Sequence, residues 1–272
     1  MISPARQIWA FIYRDHQLTR RYFSWTVVFT VYAVVSGASV ALIGVASHNR
    51  ELTLTLTIGV LFWSFLSVLF SEIAMSIAFE RWEGTLEYTF MAPVSRLIHL
   101  AGVSLYASAY STLRTLAVLG GLYLFLDLDF RGANLAGMVV VLLIGSVAFI
   151  GLGLIAATLP VMSPERGAEA TNIFQSVLLL VSGIYYPVSV LPRWLQPLSA
   201  LSPATYALSA SRKLLGVDSM TGGRLHGAPL SAVLPELATL LVMGVILVPA
   251  GLFLFGLIEN WAKRAGKLKR TG

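Results

Sequence analysis

The stretch Phe79–Arg96, FERWEGTLEYTFMAPVSR, concentrates residues that could do chemistry. Glu80, Glu83 and Glu87 stand against Arg81 and Arg96, between two long apolar runs. At 100° per residue the three carboxylates fall within about 60° of one another on a helix. Phe79, Trp82, Leu86 and Phe90 form the adjacent apolar face. An acidic edge of this kind suits docking to a basic, grooved protein surface. It equally describes an interfacial helix whose acids meet water.

Two more ionisable residues lie inside apolar runs, Glu72 in SEIAMS and Arg114 in SLYASAYSTLRT. Charges there are costly, and they face a bundle interior, a water-filled cavity or an interface. Counted at 1.5 Å per residue, Glu72 lies roughly 12 Å and Arg114 roughly 27 Å from the Phe79–Arg96 loop, so no direct pair is expected. Ser104, Ser108, Ser111 and Thr115 recur at helical spacing beside Arg114. That polar stripe is either a helix-packing face of small residues or one wall of a substrate path.

Catalytic patterns are missing. The sequence holds no HExxH, no GxSxG and no Asp-rich metal motif. His16, His48, His99 and His226 are scattered near run ends and loops, as interfacial polar residues are. There is no cysteine, which excludes disulfides, thiolate metal sites and a cysteine nucleophile. No GxxxxGK[ST] occurs, and Gly266-Lys267 lacks the upstream glycine. Any ATP must therefore be bound by another chain.

The elements that would position these residues are membrane spans. The chain has 272 residues, 57% of them hydrophobic and only 12% charged, with a mean hydropathy of +0.78. A soluble domain carries roughly twice that charged fraction. The expectation is an all-α integral membrane protein, one transmembrane domain over residues 1–272, with six spans near 22–46, 52–78, 97–126, 133–162, 171–190 and 231–258. The first run begins too late and runs too long for a cleaved signal peptide. Arg6, Arg14, Arg20 and Arg21 precede the first span, and a basic tail over 259–272 follows the last. Positive residues stay inside, so both termini are expected in the cytoplasm of an inner-membrane protein, and the net charge of +6 is a topology signal rather than a nucleic-acid footprint.

Residues 4–21 form a separate amphipathic helix lying in the inner interface, with Ala5, Ile8, Trp9 and Ile12 on one face and Arg6, Arg14 and Arg21 opposite. It is a topology anchor or a mechanical part. The external segment 187–230 is apolar at first but interrupted by Pro187, Pro192, Pro197 and Pro203, which fits short re-entrant helices with Trp194 and Tyr206 at headgroup depth. Gly37, Gly44, Gly151, Gly153, Gly251 and Gly256 offer places for close helix approach. The aromatic residues of the first two spans either line a path or face lipid. No internal repeat is visible, which weighs against an inverted-repeat secondary transporter.

Two stretches resemble the membrane subunits of type 2 class ABC exporters. One is Glu80 followed by Gly84-Thr85-Leu86-Glu87, then Pro93 and Arg96. The other is SGIYYPVSVLPRWLQPLSALSPATYALSASR, from Ser182 to Arg212. The six spans, the N-terminal helix and the missing nucleotide motif agree, so the likeness runs along essentially the whole chain. The resemblance implies a permease that pairs with a second copy or close relative in the bilayer. Two separate ATP-binding subunits would carry ATP and Mg beneath it, and this chain would hold no cofactor of its own. It implies that the loop at 79–96 is a cytoplasmic coupling helix seated in the ATPase, with Glu83 and Glu87 holding the docking or the loop's geometry and Gly84 permitting the bend. It implies that Tyr185, Tyr186, Pro187 and Trp194 close the external mouth. Glu72, Ser104, Ser108, Ser111, Arg114 and Thr115 are the candidates for a pathway, and the cargo expected is an amphipathic drug, lipid or glycolipid. An ion-coupled secondary transporter and a non-transporting membrane scaffold are the rival readings.

Overall fold

A computed structural model describes residues 3–126, 128, 130–163, 166–217 and 225–268. Its regular elements are all helical among the described residues. They are α1 (Pro4–Arg21), α2 (Phe23–Ala46), α3 (Arg50–Trp82), α4 (Leu86–Met91), α5 (Arg96–Tyr123), α6 (Leu135–Ala156), α7 (Thr158–Met162), α8 (Gly167–Val181), α9 (Gln196–Ala200), α10 (Pro203–Leu215) and α11 (Leu234–Arg264). Short 3-10 turns cover Val188–Val190 and Leu230–Val233.

Among the described residues, four segments are long and apolar enough to cross a membrane: α2, α3, the α6–α7 segment Leu135–Met162 and the α11 segment Leu230–Arg264. Helix α5 is long but interrupted by polar residues, and α8 is apolar but has only 15 residues. Burial separates the four. In α3, 72% of the apolar window is buried, against 22% in α2 and 17% in α11. Helix α3 is therefore the axis of the molecule, and α2 and α11 turn apolar faces outward. Around α3 pack α2, α5, α6, α7 and α8. The core runs continuously through Phe62, Leu66, Leu69, Phe70, Ile73 and Ile77.

Local chemistry sets the ends. Asn49 and Asn134 cap α3 and α6, their side-chain oxygens accepting from Leu52 N (3.0 Å) and Gly137 N (2.9 Å). The fourth expected span is broken at Ala157, so that α7 forms a separate short turn ahead of Ser163. The fifth expected span, 171–190, ends as helix at Val181, because Gly183 takes a left-handed φ of +66° and turns the chain back. The last helix reaches Arg264, six residues beyond the expected 258, which carries Glu259 to the end of the bundle. Of the glycines expected at close approaches, Gly151 and Gly251 do meet, where α6 packs on α11, whereas Gly256 has no neighbour where a Cβ would stand.

Helix α10, in the segment expected to be external, is packed rather than superficial. Ala204, Ala207, Leu208, Ala210 and Leu214 are all buried, against α3, α6 and α11. The tail of this segment, 218–224, lies outside the described residues.

Candidate functional site

The expected acidic edge does not exist as one surface, because helix geometry is broken between its members. Helix α3 continues through Trp82, the chain turns over Glu83–Thr85, and α4 begins at Leu86. Gly84 makes the turn at φ +75°. Thr85 N and Oγ1 both donate to Glu80 O, at 2.8 and 3.2 Å, which closes the end of α3. Glu80 is consequently inside, 3% exposed. Glu83 and Glu87 are outside, together with Tyr88 and Met91.

Glu80 is the centre of an ionic chain that links four helices. Arg14 of α1 donates to Glu80 Oε1. The same guanidinium donates to Ser76 Oγ at 2.9 Å and to Asp15 Oδ1 at 2.8 and 2.9 Å. His99 of α5, 1% exposed, places Nε2 3.1 Å from Glu80 Oε1 and Nδ1 3.1 Å from Arg96 Nη1. A guanidinium can only donate. Nδ1 must therefore accept, and Nε2–H donates to Glu80, which assigns a neutral imidazole. Arg96 then grips Glu259 of α11 through Nε (2.7 Å) and Nη2 (2.8 Å), a bidentate pair, and Lys263 adds a third contact at 2.8 Å. Outside the spans, burial pushes the Asp15 carboxyl above its ordinary value, against the opposing pull of Arg14.

The apolar side of the loop is fixed as well. Leu86 is fully buried, and Phe90 lies under the Arg96 guanidinium (4.2 Å) and edge-on to Phe255 (6.0 Å). Phe79 and Trp82, expected on the same apolar face, are instead partly exposed. Pro93 is exposed between α4 and α5, where a proline stops one helix before the next begins. Arg81, read from the sequence only as a countercharge, is buried to 1% exposure and acts as a clamp. Its Nη1 donates to Pro160 O (2.9 Å) and Val161 O (2.5 Å), and its Nη2 to Lys267 O (2.6 Å). A cation at those carbonyls also complements the end of α7.

Gly84 has open space where a Cβ would stand. Substituting it therefore tests backbone conformation alone. Gly84→Ala should destabilise the purified protein by only about 1–2 kcal/mol, the cost of a non-glycine residue in the left-handed region. A thermal unfolding comparison with wild type checks this.

The pathway candidates separate into two groups. Glu72 and Arg114 line one cavity of about 140 Å³ between α1, α2, α3 and α5. They interact electrostatically across it, without a direct ion pair among the described residues. Arg114 donates to Phe29 O at 3.0 Å and also lines a second cavity of about 290 Å³, whose far wall includes Tyr185. Ser104, Ser108, Ser111 and Thr115 line neither cavity. Ser108 and Ser111 donate to their own helix, to Ser104 O (2.9 Å) and Ser108 O (3.0 Å). Thr115 Oγ1 is buried with no hydrogen-bond partner among the described residues. The stripe is thus closer to a packing face than to a wall of these cavities.

At the other end of α8, Tyr185 is half-buried with its hydroxyl raised above the usual range by burial. Tyr186 Oη donates to Leu180 O at 2.5 Å, Pro187 is exposed ahead of the 3-10 turn, and Trp194 stands 74% exposed.

A helical fold with four membrane-length apolar segments around a buried axis defines a multi-pass integral membrane protein. The profile of the ABC-2 type transporter family matches residues 5–215, from α1 through α10, and the chain belongs to that family as a membrane permease subunit. The chain is also 26% identical over 119 residues to the linearmycin resistance permease protein LnrN of Bacillus subtilis (strain 168). That match covers 44% of this chain and 28% of the relative.

Proposed function

We propose that the chain is the transmembrane subunit of an ATP-driven exporter and forms the substrate path with a second copy or a close relative. In this reading α2, α3, α5, α6–α7, α8 and α11 are six spans, both termini are cytoplasmic, and the membrane is the inner one. Two ATP-binding subunits, carrying ATP and Mg, seat against the turn between α3 and α4. The observation that carries the reading is the division of that turn. Glu83, Glu87, Tyr88 and Met91 face out, while Glu80, Leu86, Arg96 and Arg81 tie the same turn to α1, α5, α7 and α11. A push on the exposed side is delivered to four helices at once. ATP-dependent closure of the partner subunits then favours an outward-open arrangement by binding it better. Tyr185, Tyr186, Pro187 and Trp194 close the outer mouth.

The cargo is an amphipathic drug, lipid or glycolipid. A relative named for linearmycin resistance supports the drug among these. Reconstitution tests the whole reading. Vesicles holding this chain and a co-purifying ATP-binding subunit should export amphipaths with ATP, and vesicles holding this chain alone should not. ATP-dependent transport by the single chain, or transport that follows an ion gradient without any ATPase, would overturn it.

A further inference from the structure

The cavity at the junction of α1 and α2 has a composition that selects a ligand charge. Three ring pairs line it: Tyr22 with Phe79 (6.4 Å), Trp25 with Phe29 (5.8 Å) and Tyr106 with Tyr110 (6.0 Å). The two inner tyrosine hydroxyls are already used, Tyr106 donating to Thr19 Oγ1 (2.5 Å) and Tyr110 to Thr26 Oγ1 (3.3 Å). What the tyrosines leave to a ligand is ring face. The two acids in the wall differ. Asp15 is held by Arg14 and Ser76. Glu72 has no hydrogen bond among the described residues and is half-buried against the cavity. Its acceptor capacity is unspent. Arg114 does not satisfy it, since that guanidinium is turned to Phe29 O.

Aromatic faces around a free carboxylate attract a cation twice over, through the ring quadrupoles and through charge. The volume, about 140 Å³, is close to that of an engineered cavity that takes benzene, about 150 Å³. It fits one ring or one quaternary ammonium head, with the rest of a longer molecule leaving through the open side. We propose that this cavity binds the cationic head of an amphipathic organic amine, with Glu72 as the counter-ion and the aromatic pairs as the cage. Arg114, which lines both this cavity and the next, repels the head and marks the end of the site. That the bound cation is cargo rests on the export reading; that it binds does not.

Benzyltrimethylammonium is small, water-soluble and of the right chemistry, and benzylsulfonate is its anionic counterpart. The full-length chain, purified in a neutral-headed detergent, is titrated with each while tryptophan emission is followed, Trp25 being in the wall. The expected result is saturable binding of the cation, with the anion weaker by about tenfold or more. Glu72→Gln should weaken the cation by about tenfold or more, and Glu51→Gln, at the opposite end of α3, should leave it unchanged. Equal binding of the two probes to the wild-type chain would overturn the proposal, as would wild-type cation affinity in Glu72→Gln. The wild-type comparison stands even where the variant fails to fold. Loss of the site with intact ATP-driven export would leave the export reading standing. Binding without any ATP-driven export would do the reverse.

Discussion

Glu80→Ala should cost the protein about 3 kcal/mol or more of stability, while Glu83→Ala, three residues on, should cost less than about 0.5 kcal/mol. The difference follows from burial. Glu80 receives the guanidinium of α1 and the imidazole of α5 in a place almost closed to water. Truncation leaves the His99 Nε2–H without an acceptor and removes one of the two acids that balance Arg14. Breaking a buried pair by deleting one partner typically costs about 3–5 kcal/mol. The lower end applies, because Arg14 keeps Asp15 and Ser76 and its side chain retains 28% exposure. Glu80→Gln should fall between, since an amide oxygen still accepts from His99 but no longer carries charge. Thermal unfolding of the purified variants, followed by gel filtration, measures all three. Equal midpoints for Glu80→Ala and Glu83→Ala would show that Glu80 does not brace the turn. The Glu80→Ala defect should also appear as loosening of α1, read by protease access at Arg20 and Arg21, because Arg14 is the ionic link from α1 to α3.

How much of this was legible depends on what each residue's position requires. The membrane class and the helix at 4–21 could be read, because apolar run length and arginine placement are local signals, whereas the bend at Gly84 followed only from the family resemblance. The inward turn of Glu80 was not. On one uninterrupted helix it shares an edge with Glu83 and Glu87, and only the break over 83–85 separates them. Its partners lie 66 residues before and 19 after, on helices whose neighbourhood no local pattern states. In the sequence His99 is one of four scattered histidines, although Arg96 three residues earlier puts both on one helix face. The expected lack of a direct Glu72–Arg114 pair holds among the described residues, but the two line one cavity, which their depths along the helices do not suggest. Counting along the axes ignores that side chains lean toward the N-terminus of their own helix. Helices α3 and α5 enter and leave the same loop, so Glu72 leans away from it and Arg114 toward it. Both tilts bring the charged groups closer than the backbone count allows, into one cavity.

Replacing both Glu83 and Glu87 by alanine should leave the fold intact and lower ATP-driven export by about tenfold or more, with the partner's ATP hydrolysis continuing. Both carboxylates are exposed, and neither is among the groups that hold the turn. Their structural worth is small: Glu87 lies in the first turn of α4, where a negative charge contributes about 0.3–1 kcal/mol to the helix end. Their worth in a contact is larger. A carboxylate desolvated against a basic groove loses about 2–5 kcal/mol when truncated, and 1.4 kcal/mol is already a factor of ten. The single changes separate the two roles. Glu87→Gln keeps size and removes charge, so it should lower export if docking is ionic and leave export alone if the side chain only shapes α4. Salt gives a second, independent reading: co-purification of the ATP-binding subunit should weaken with ionic strength in the wild type and much less in the double variant, since exposed charge pairs are screened within about 8–10 Å. Export at the wild-type rate by the double variant would remove the acids from the contact. The apolar pair Tyr88 and Met91, 78% and 68% exposed on the same short helix, would then be the surface through which the partner pushes.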